Sequence, residues 1–248
     1  MRPNRALAAL GAPALLLCAC TATQQMADIG FRPPEGNYRL IVMQPDISVG
    51  LLTAGGAVEP NAEWTNQARE NVIKAVVAQQ AGRGGETKVS QTREDAGGDP
   101  AVVSDLINLH AAVGNSIKIH KYFGLTLPTK KTRFDWTLGE EAVAFGAAAH
   151  YDYALFLHAE DSFSSGGRVA LQVAGLLSCV VGVCVAPAGG QQLAFATLVD
   201  LKTGQVVWFN VLQSTAGDIR TPDGATKLVT TLLDKMKPGK AAKAAAST

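Results

Sequence analysis

The residue types that could do chemistry in this chain are concentrated at the end of one apolar run. His158, Glu160 and Asp161 follow residues 153–157, whose side chains are all apolar. Side chains two positions apart in a strand point to the same face, so His158 and Glu160 are predicted to lie together. A base and a carboxylate in that arrangement could serve acid–base catalysis. The alternative, which we favour, is a polar strand end that reaches water.

Other catalytic or metal-binding motifs are missing from the sequence. None of the four histidines has the spacing of a zinc site, and no serine lies in a G-x-S-x-G motif. The loop at Thr53–Gly56 lacks the lysine and hydroxyl of a phosphate-binding loop. His110 shares a helical face with apolar residues, which is typical of a core histidine. The sequence therefore predicts a protein without catalytic activity, cofactor or metal.

Composition excludes two further classes of protein. Hydrophobic residues make up 47% of the 248 residues, enough for a sizeable core, which excludes general disorder. The chain carries 22 basic and 21 acidic residues. Without a basic excess there is no electrostatic basis for binding nucleic acid.

The N-terminus has the layout of a secretory signal, with Arg2 and Arg5 before an apolar stretch at 6–17. The residues Leu17-Cys18-Ala19-Cys20 that follow resemble the lipobox of bacterial lipoproteins. The resemblance implies that Cys20 becomes the mature N-terminus and carries acyl chains such as palmitate. Thr21 stands where lipoproteins kept in the inner membrane often have Asp, which implies the periplasmic face of the outer membrane.

The chain is accordingly divided into four segments: a signal peptide at 1–19, a lipidated tether at 20–37, a single α/β domain at 38–236 and a flexible tail at 237–248. Pro33-Pro34 and the lack of periodicity indicate the tether. The acyl chains on Cys20 would anchor the protein in the membrane. Two hydrophobic chains are enough for stable anchoring.

Periodicity and caps predict the elements of the domain. Strands are predicted at 38–44, 86–92 and 153–162, a hairpin at 193–201 and 205–212, and helices at 62–81, from 100, at 137–149 and from 222. A loop is predicted from Pro45 to Pro60. Asn61, Asp99 and Thr221 are the expected N-caps, and Thr137 with Glu140 forms a capping-box pattern. The predicted class is α/β, with a mixed, mostly parallel sheet flanked by helices, an antiparallel C-terminal hairpin and an apolar helical insertion.

Two of these segments carry a resemblance to a known family. The strand IVMQPD at 41–46 and the hairpin LVDLKTGQVVW at 198–208 are similar to those of periplasmic α/β lipoproteins related to the curli secretion channel CsgG and the amino-terminal domain of TolB. The resemblance covers roughly residues 38–236. It implies a role in envelope assembly or transport, usually through oligomers, and it transfers no catalytic residue.

The insertion at 169–188 is the unusual feature, because no charged residue occurs from 169 to 199. Its apolar part is close to the minimum length of a membrane span. Small residues recur at every fourth position and form a candidate self-association face: Ala170, Ala174, Ser178, Gly182 and Ala186. Three interpretations remain open. The favoured one is a core helix or helical hairpin that covers the sheet. The others are a helix against copies of itself or the membrane surface, and a pair of membrane-inserted strands as in the curli channel.

The state of Cys179 and Cys184 distinguishes a continuous helix from a segment that turns. Five residues along a helix correspond to about 500° of rotation, so the two thiols would face apart and stay free. A turn near Gly182 would instead permit a disulfide. We expect the continuous helix, because the small residues keep their spacing through this region.

The sequence therefore favours a non-enzymatic, outer-membrane-anchored periplasmic lipoprotein that acts in envelope assembly or transport through envelope proteins or copies of itself. Two alternatives remain: an envelope enzyme with its site at the end of strand 153–162, and a subunit of an oligomeric secretion channel. Nucleic acid is not an expected partner.

Overall fold

The computed structural model describes residues 21–27, 38–81, 86–130, 133–182, 186–234 and 236. These residues form eight strands: β1 (Thr21–Ala27), β2 (Arg39–Val42), β3 (Asp46–Leu52), β4 (Val58–Pro60), β5 (Glu86–Val89), β6 (Tyr153–Ser164), β7 (Gln192–Asp200) and β8 (Val206–Ser214). They also form five α-helices: α1 (Ala62–Gln80), α2 (Pro100–Ile117), α3 (Gly139–Ala149), α4 (Gly166–Ser178) and α5 (Pro222–Leu233). A π-helical turn, Lys118–Tyr122, extends α2.

All of these strands belong to one mixed sheet. Its order is β1-β8-β7-β6-β2-β5, with β3 beside β6 and β4 paired to β3. Strand β2 runs parallel to β5 and β6, and β3 runs parallel to β6. The pairs β6–β7, β7–β8, β1–β8 and β3–β4 are antiparallel. The predicted α/β class is confirmed, with helices on both faces of the sheet and an antiparallel C-terminal hairpin.

Strands β2 and β3 pair with β6 one after the other along its length. The N–H of Met43 donates to the carbonyl of Leu155 at 2.9 Å, and the ladder resumes at Asp46 opposite His158. Pro45 has no N–H to donate, so it interrupts the ladder locally. The prediction of a loop from Pro45 to Pro60 is therefore wrong, because β3 and β4 form a hairpin there. This continuation places Asp46 beside His158.

The sheet separates two hydrophobic cores, and β6 contributes to both. Leu155 and Leu157 pack with α1 and α5 on one face. Ala154 and Phe156 pack with α2 and α3 on the other. The same alternation assigns His158 and Glu160, in the middle of β6, to the α2 face and Asp161 to the α5 face.

The caps show which local predictions hold. Asn61, Asp99 and Thr221 accept backbone N–H bonds from the first turns of α1, α2 and α5, as predicted. The capping box is wrong, because α3 begins at Gly139 and has no side-chain cap. The hydroxyl of Thr137 instead accepts from the N–H of Gly139 and donates to the carbonyl of Gly204 at 2.8 Å. It thereby ties α3 to the β7–β8 turn.

The N-terminal segment is more ordered than predicted. Residues 21–27 of the expected tether form β1, which pairs along its whole length with β8. The pairing supplies hydrogen-bond partners to a strand that would otherwise be an open edge. The predicted signal peptide, Cys20, the remaining tether residues at 28–37 and the C-terminal tail lie outside the described residues.

The apolar insertion does not form one continuous helix. Helix α4 ends at Ser178, a 3-10 turn follows, and Gly182 has a φ of 89°. A glycine in this left-handed conformation ends a helix, so the continuous-helix prediction is wrong. Cys179 is disulfide-bonded, which contradicts the expected free thiol, and Cys184 lies outside the described residues. Within the described ranges, none of the helices is both long enough and apolar enough to cross a bilayer.

Candidate functional site

Three charged side chains meet where β3 begins, beside the middle of β6. Asp46 and His158 are register partners on neighbouring parallel strands. The Nδ1 of His158 lies 2.8 Å from Oδ2 of Asp46, and its Nε2 lies 3.3 Å from Oε1 of Glu160. An imidazole donates from both nitrogens only when it carries both protons. The geometry therefore fits an imidazolium held between two carboxylates.

The pKa of His158 agrees with that arrangement. Burial alone would lower this pKa, but the hydrogen bonds to Asp46 and Glu160 outweigh burial and raise it to about 9. The same hydrogen bonds lower the pKa of Asp46 and that of Glu160. All three groups are thus charged at neutral pH. A general base needs a pKa near the working pH, so His158 is an ion-pair partner and a poor proton acceptor.

Aromatic rings cover the inner side of His158. Its ring stacks on Phe195 with 4.7 Å between centroids. His110 lies behind Phe195, stacks on Phe156 at 4.8 Å, and its Nε2 is 2.8 Å from the hydroxyl of Thr197. Burial, together with the charge on His158, lowers the pKa of His110 to about 3. His110 is a neutral core histidine, as predicted.

The outer side of the site is open to water. The side chains of Asp46 and Glu160 are 38% and 54% exposed, whereas that of His158 is 9% exposed. Lys118, at the start of the π-helical turn, lowers the pKa of Glu160 through its charge. Two carboxylates therefore face solvent over a fixed buried cation. Among the described residues, no group of three or more histidine, cysteine, aspartate or glutamate side chains has an arrangement that could hold a metal ion.

Asp161 lies apart from this site, on the opposite face of the sheet. Its Oδ2 accepts from Nε2 of Gln192 at 3.1 Å and from the N–H of Ile219 at 3.4 Å. Burial raises the pKa of Asp161 to about 6. It lines a small polar cleft of about 160 Å³ with residues that include Gly190 and Gly217. The structure thus brings His158 and Glu160 together and separates Asp161 from both.

Asp46 is the member of the site that sequence reasoning missed. The available signal was its place two residues after a predicted strand in a parallel sheet. Pro45 concealed that signal, because a proline inside a strand is usually read as its end.

The small residues of the insertion do not cover the sheet. Ala170, Ala174, Gly182 and Ala186 are exposed, and Ser178 is half-buried with its hydroxyl donating to the carbonyl of Gly175 at 2.6 Å. The favoured core-helix interpretation is therefore wrong. Their role as a self-association face stays a prediction.

No protein-family model matches the chain, and no curated protein does. Two solved structures are similar to it in outline: the PelC dodecamer from Paraburkholderia phytofirmans and a variant of that dodecamer in another crystal form. Each is 11% identical with a TM-score of 0.40, and the alignments cover 89% and 88% of this chain and 100% and 99% of the other. A likeness at this level carries no conclusion about function or assembly.

Proposed function

We propose that the protein is a lipoprotein anchored in the outer membrane with its domain in the periplasm. It serves envelope assembly or transport by binding envelope proteins or copies of itself, and it has no catalytic activity. Nucleic acid, metal and cofactor have no part in this function.

The position of Cys20 is the observation that carries the proposal. This cysteine completes the lipobox-like sequence and directly precedes β1. Strand β1 pairs with β8 from Thr21 through Ala27, so the residue next to the acylation site is already part of the sheet. An acyl chain on Cys20 would therefore hold the folded domain against the membrane.

The charge state of the candidate site supports a role without catalysis. His158 is the histidine that contacts two carboxylates, and its pKa of about 9 keeps it protonated. Two half-exposed carboxylates over a buried cation form a polar surface suited to protein contact, whereas proton abstraction would need a neutral imidazole.

The anchor is tested with two cysteine variants of the full-length protein expressed in cells. Cys20→Ala is expected to remain an unprocessed or mislocalised precursor, because acylation needs that thiol. Cys18→Ala is the matched control, since it lies in the same segment and leaves the lipobox pattern intact. Membrane fractionation and the mass of the mature N-terminal peptide give the readout. Normal maturation of Cys20→Ala into the outer-membrane fraction would refute the proposal.

The absence of catalysis is tested with His158→Gln and Glu160→Gln in the envelope of living cells. An unchanged phenotype at normal protein level is expected for Glu160→Gln, whose side chain is half-exposed. A complete loss of function in that variant, with a normal melting temperature, would favour the enzyme alternative.

Partners are identified by crosslinking in cells followed by purification of the tagged protein. Native mass spectrometry of the detergent-extracted protein then separates the remaining possibilities. A closed ring of many copies supports the secretion-channel alternative, and a monomer that crosslinks to envelope proteins supports the proposal as stated.

A further inference from the structure

Helix α4 presents its apolar side to solvent. Its residues Val169, Val173, Leu176 and Leu177, with Val180 in the next turn, fall within one stripe by the rotation of about 100° per residue. All five are exposed: Val180 by 85%, Leu177 by 66% and Leu176 by 63%. The buried residue of the helix, Gly175, lies on the other side. A surface helix of a soluble domain normally buries its apolar side and exposes its polar side.

Polar contacts hold the helix in this orientation. Ser165 caps its first turn, and the guanidinium of Arg168 donates to the carbonyl of Ala188 at 3.0 Å and to that of Ala54 at 3.3 Å. The amide of Gln172 donates to the carbonyl of Pro187 at 3.3 Å. The inner side of α4 is thus tied to the β3–β4 turn and to the segment before β7, so the apolar stripe is directed outward.

The predicted acylation site lies at the same end of the sheet as α4. Register places Thr21 of β1 beside Ser214, Ser214 beside Gln192, and Gln192 beside Asp161. With strands about 4.8 Å apart, Thr21 lies roughly 15 Å across the sheet from Asp161. Strand β6 continues from Asp161 to Ser164, and α4 begins at Gly166. Cys20 precedes Thr21 with no intervening residue, so acylation there brings this end of the sheet to the bilayer.

We infer that α4 lies in the surface of the phospholipid bilayer that holds the acyl chains of Cys20, with its apolar stripe among the lipid chains. This inference rests on the proposed anchoring. The 13 residues of α4 span about 20 Å, less than the roughly 30 Å of a hydrocarbon core, and suit a helix that lies along the interface. The helix then gives the domain a second contact and fixes its orientation on the membrane.

The test uses the full-length acylated protein in phospholipid vesicles whose acyl chains carry bromine, a quencher of tryptophan emission. Val180→Trp and Leu176→Trp place a fluorophore on the stripe. Leu171→Trp is the control within the helix, because its side chain lies on the opposite side. Lys202→Trp, at a 75% exposed position in the β7–β8 turn, is the control at the other end of the sheet. Wild type supplies the background of the three native tryptophans.

Bromine is expected to quench most of the added tryptophan emission in Val180→Trp and Leu176→Trp. It should quench a smaller part in Leu171→Trp and none in Lys202→Trp. Having two stripe variants protects the test against misfolding of one, which melting curves reveal. Acylated protein whose stripe tryptophans are unquenched overturns the inference and leaves the anchoring intact. Unquenched, blue-shifted emission in an oligomer shows that a second copy covers α4, which also overturns it. A wild-type protein without acyl mass on Cys20 refutes the anchoring proposal itself, and this inference with it.

Discussion

Asp46 and His158 stand side by side on neighbouring parallel strands, and their carboxylate and imidazole atoms are 2.8 Å apart. This pair is 112 residues apart in sequence. It joins β3, which begins at Asp46, to β6, the longest strand of the sheet. The contact therefore has consequences for stability as well as for the surface that the protein presents.

Replacing His158 should destabilise the protein in a pH-dependent way. The pKa of His158 is raised to about 9, so its contribution to the free energy of unfolding is complete below the unfolded pKa of about 6.5 and is lost as the pH rises through 9. Allowing for the exposure of both carboxylates, His158→Gln should cost roughly 2 kcal/mol at pH 6. Urea unfolding at pH 6 and pH 9.5 measures this. An equal loss at both pH values would contradict the ion-pair assignment.

Replacing Asp161 should stabilise the protein at neutral pH. Burial raises the pKa of this carboxyl to about 6, so the wild-type protein loses stability as the pH rises from about 4 through 6 and the buried group ionises. Asp161→Asn removes that loss and should raise the free energy of unfolding by roughly 2 kcal/mol at pH 7.5, with little gain at pH 4. Asp105→Asn, at an exposed position of α2, is the control for the exchange of a carboxylate for an amide. A lower melting temperature for Asp161→Asn at pH 7.5 would count against this account.

Gly114 is expected to tolerate no side chain. A Cβ built at this position of α2 would overlap the Phe195 ring, which also stacks on His158. Gly114→Ala should therefore cost about 1–3 kcal/mol through overpacking, although alanine is the better helix former. Gly166→Ala is the matched control, because it also lies in a helix and a Cβ there meets nothing within 4 Å. Chemical unfolding of both variants measures the difference, and equal stabilities would mean that Phe195 moves aside freely.

The disulfide of Cys179 is expected to pair it with Cys184. Cys18 precedes the predicted cleavage site and the thiol of Cys20 is predicted to carry lipid, which leaves Cys184. Mass spectrometry of the alkylated, non-reduced protein should show a linked 179–184 peptide. Cys184→Ser should then make Cys179 available for alkylation. Two alkylated cysteines in the wild-type protein would contradict both the bond and the turn at Gly182.

The sequence by itself determined the elements whose signals are local. The caps Asn61, Asp99 and Thr221 accept from backbone N–H groups no more than three residues away. The two-sided apolar run of β6 likewise identified a central strand, because strand periodicity is a property of consecutive residues.

Only the tertiary structure decided which side chains meet and which remain exposed. The contact of Asp46 with His158 depends on the register between two strands, and sequence alone does not set that register across a proline. The same alternation that pairs His158 with Glu160 directs Asp161 to the other core. The apolar pattern of α4 is equally compatible with a buried helix. An apolar surface needs a partner that covers it, and the sequence does not show whether that partner is another part of the same chain. Only the packing of the whole chain shows that the apolar side of α4 is exposed.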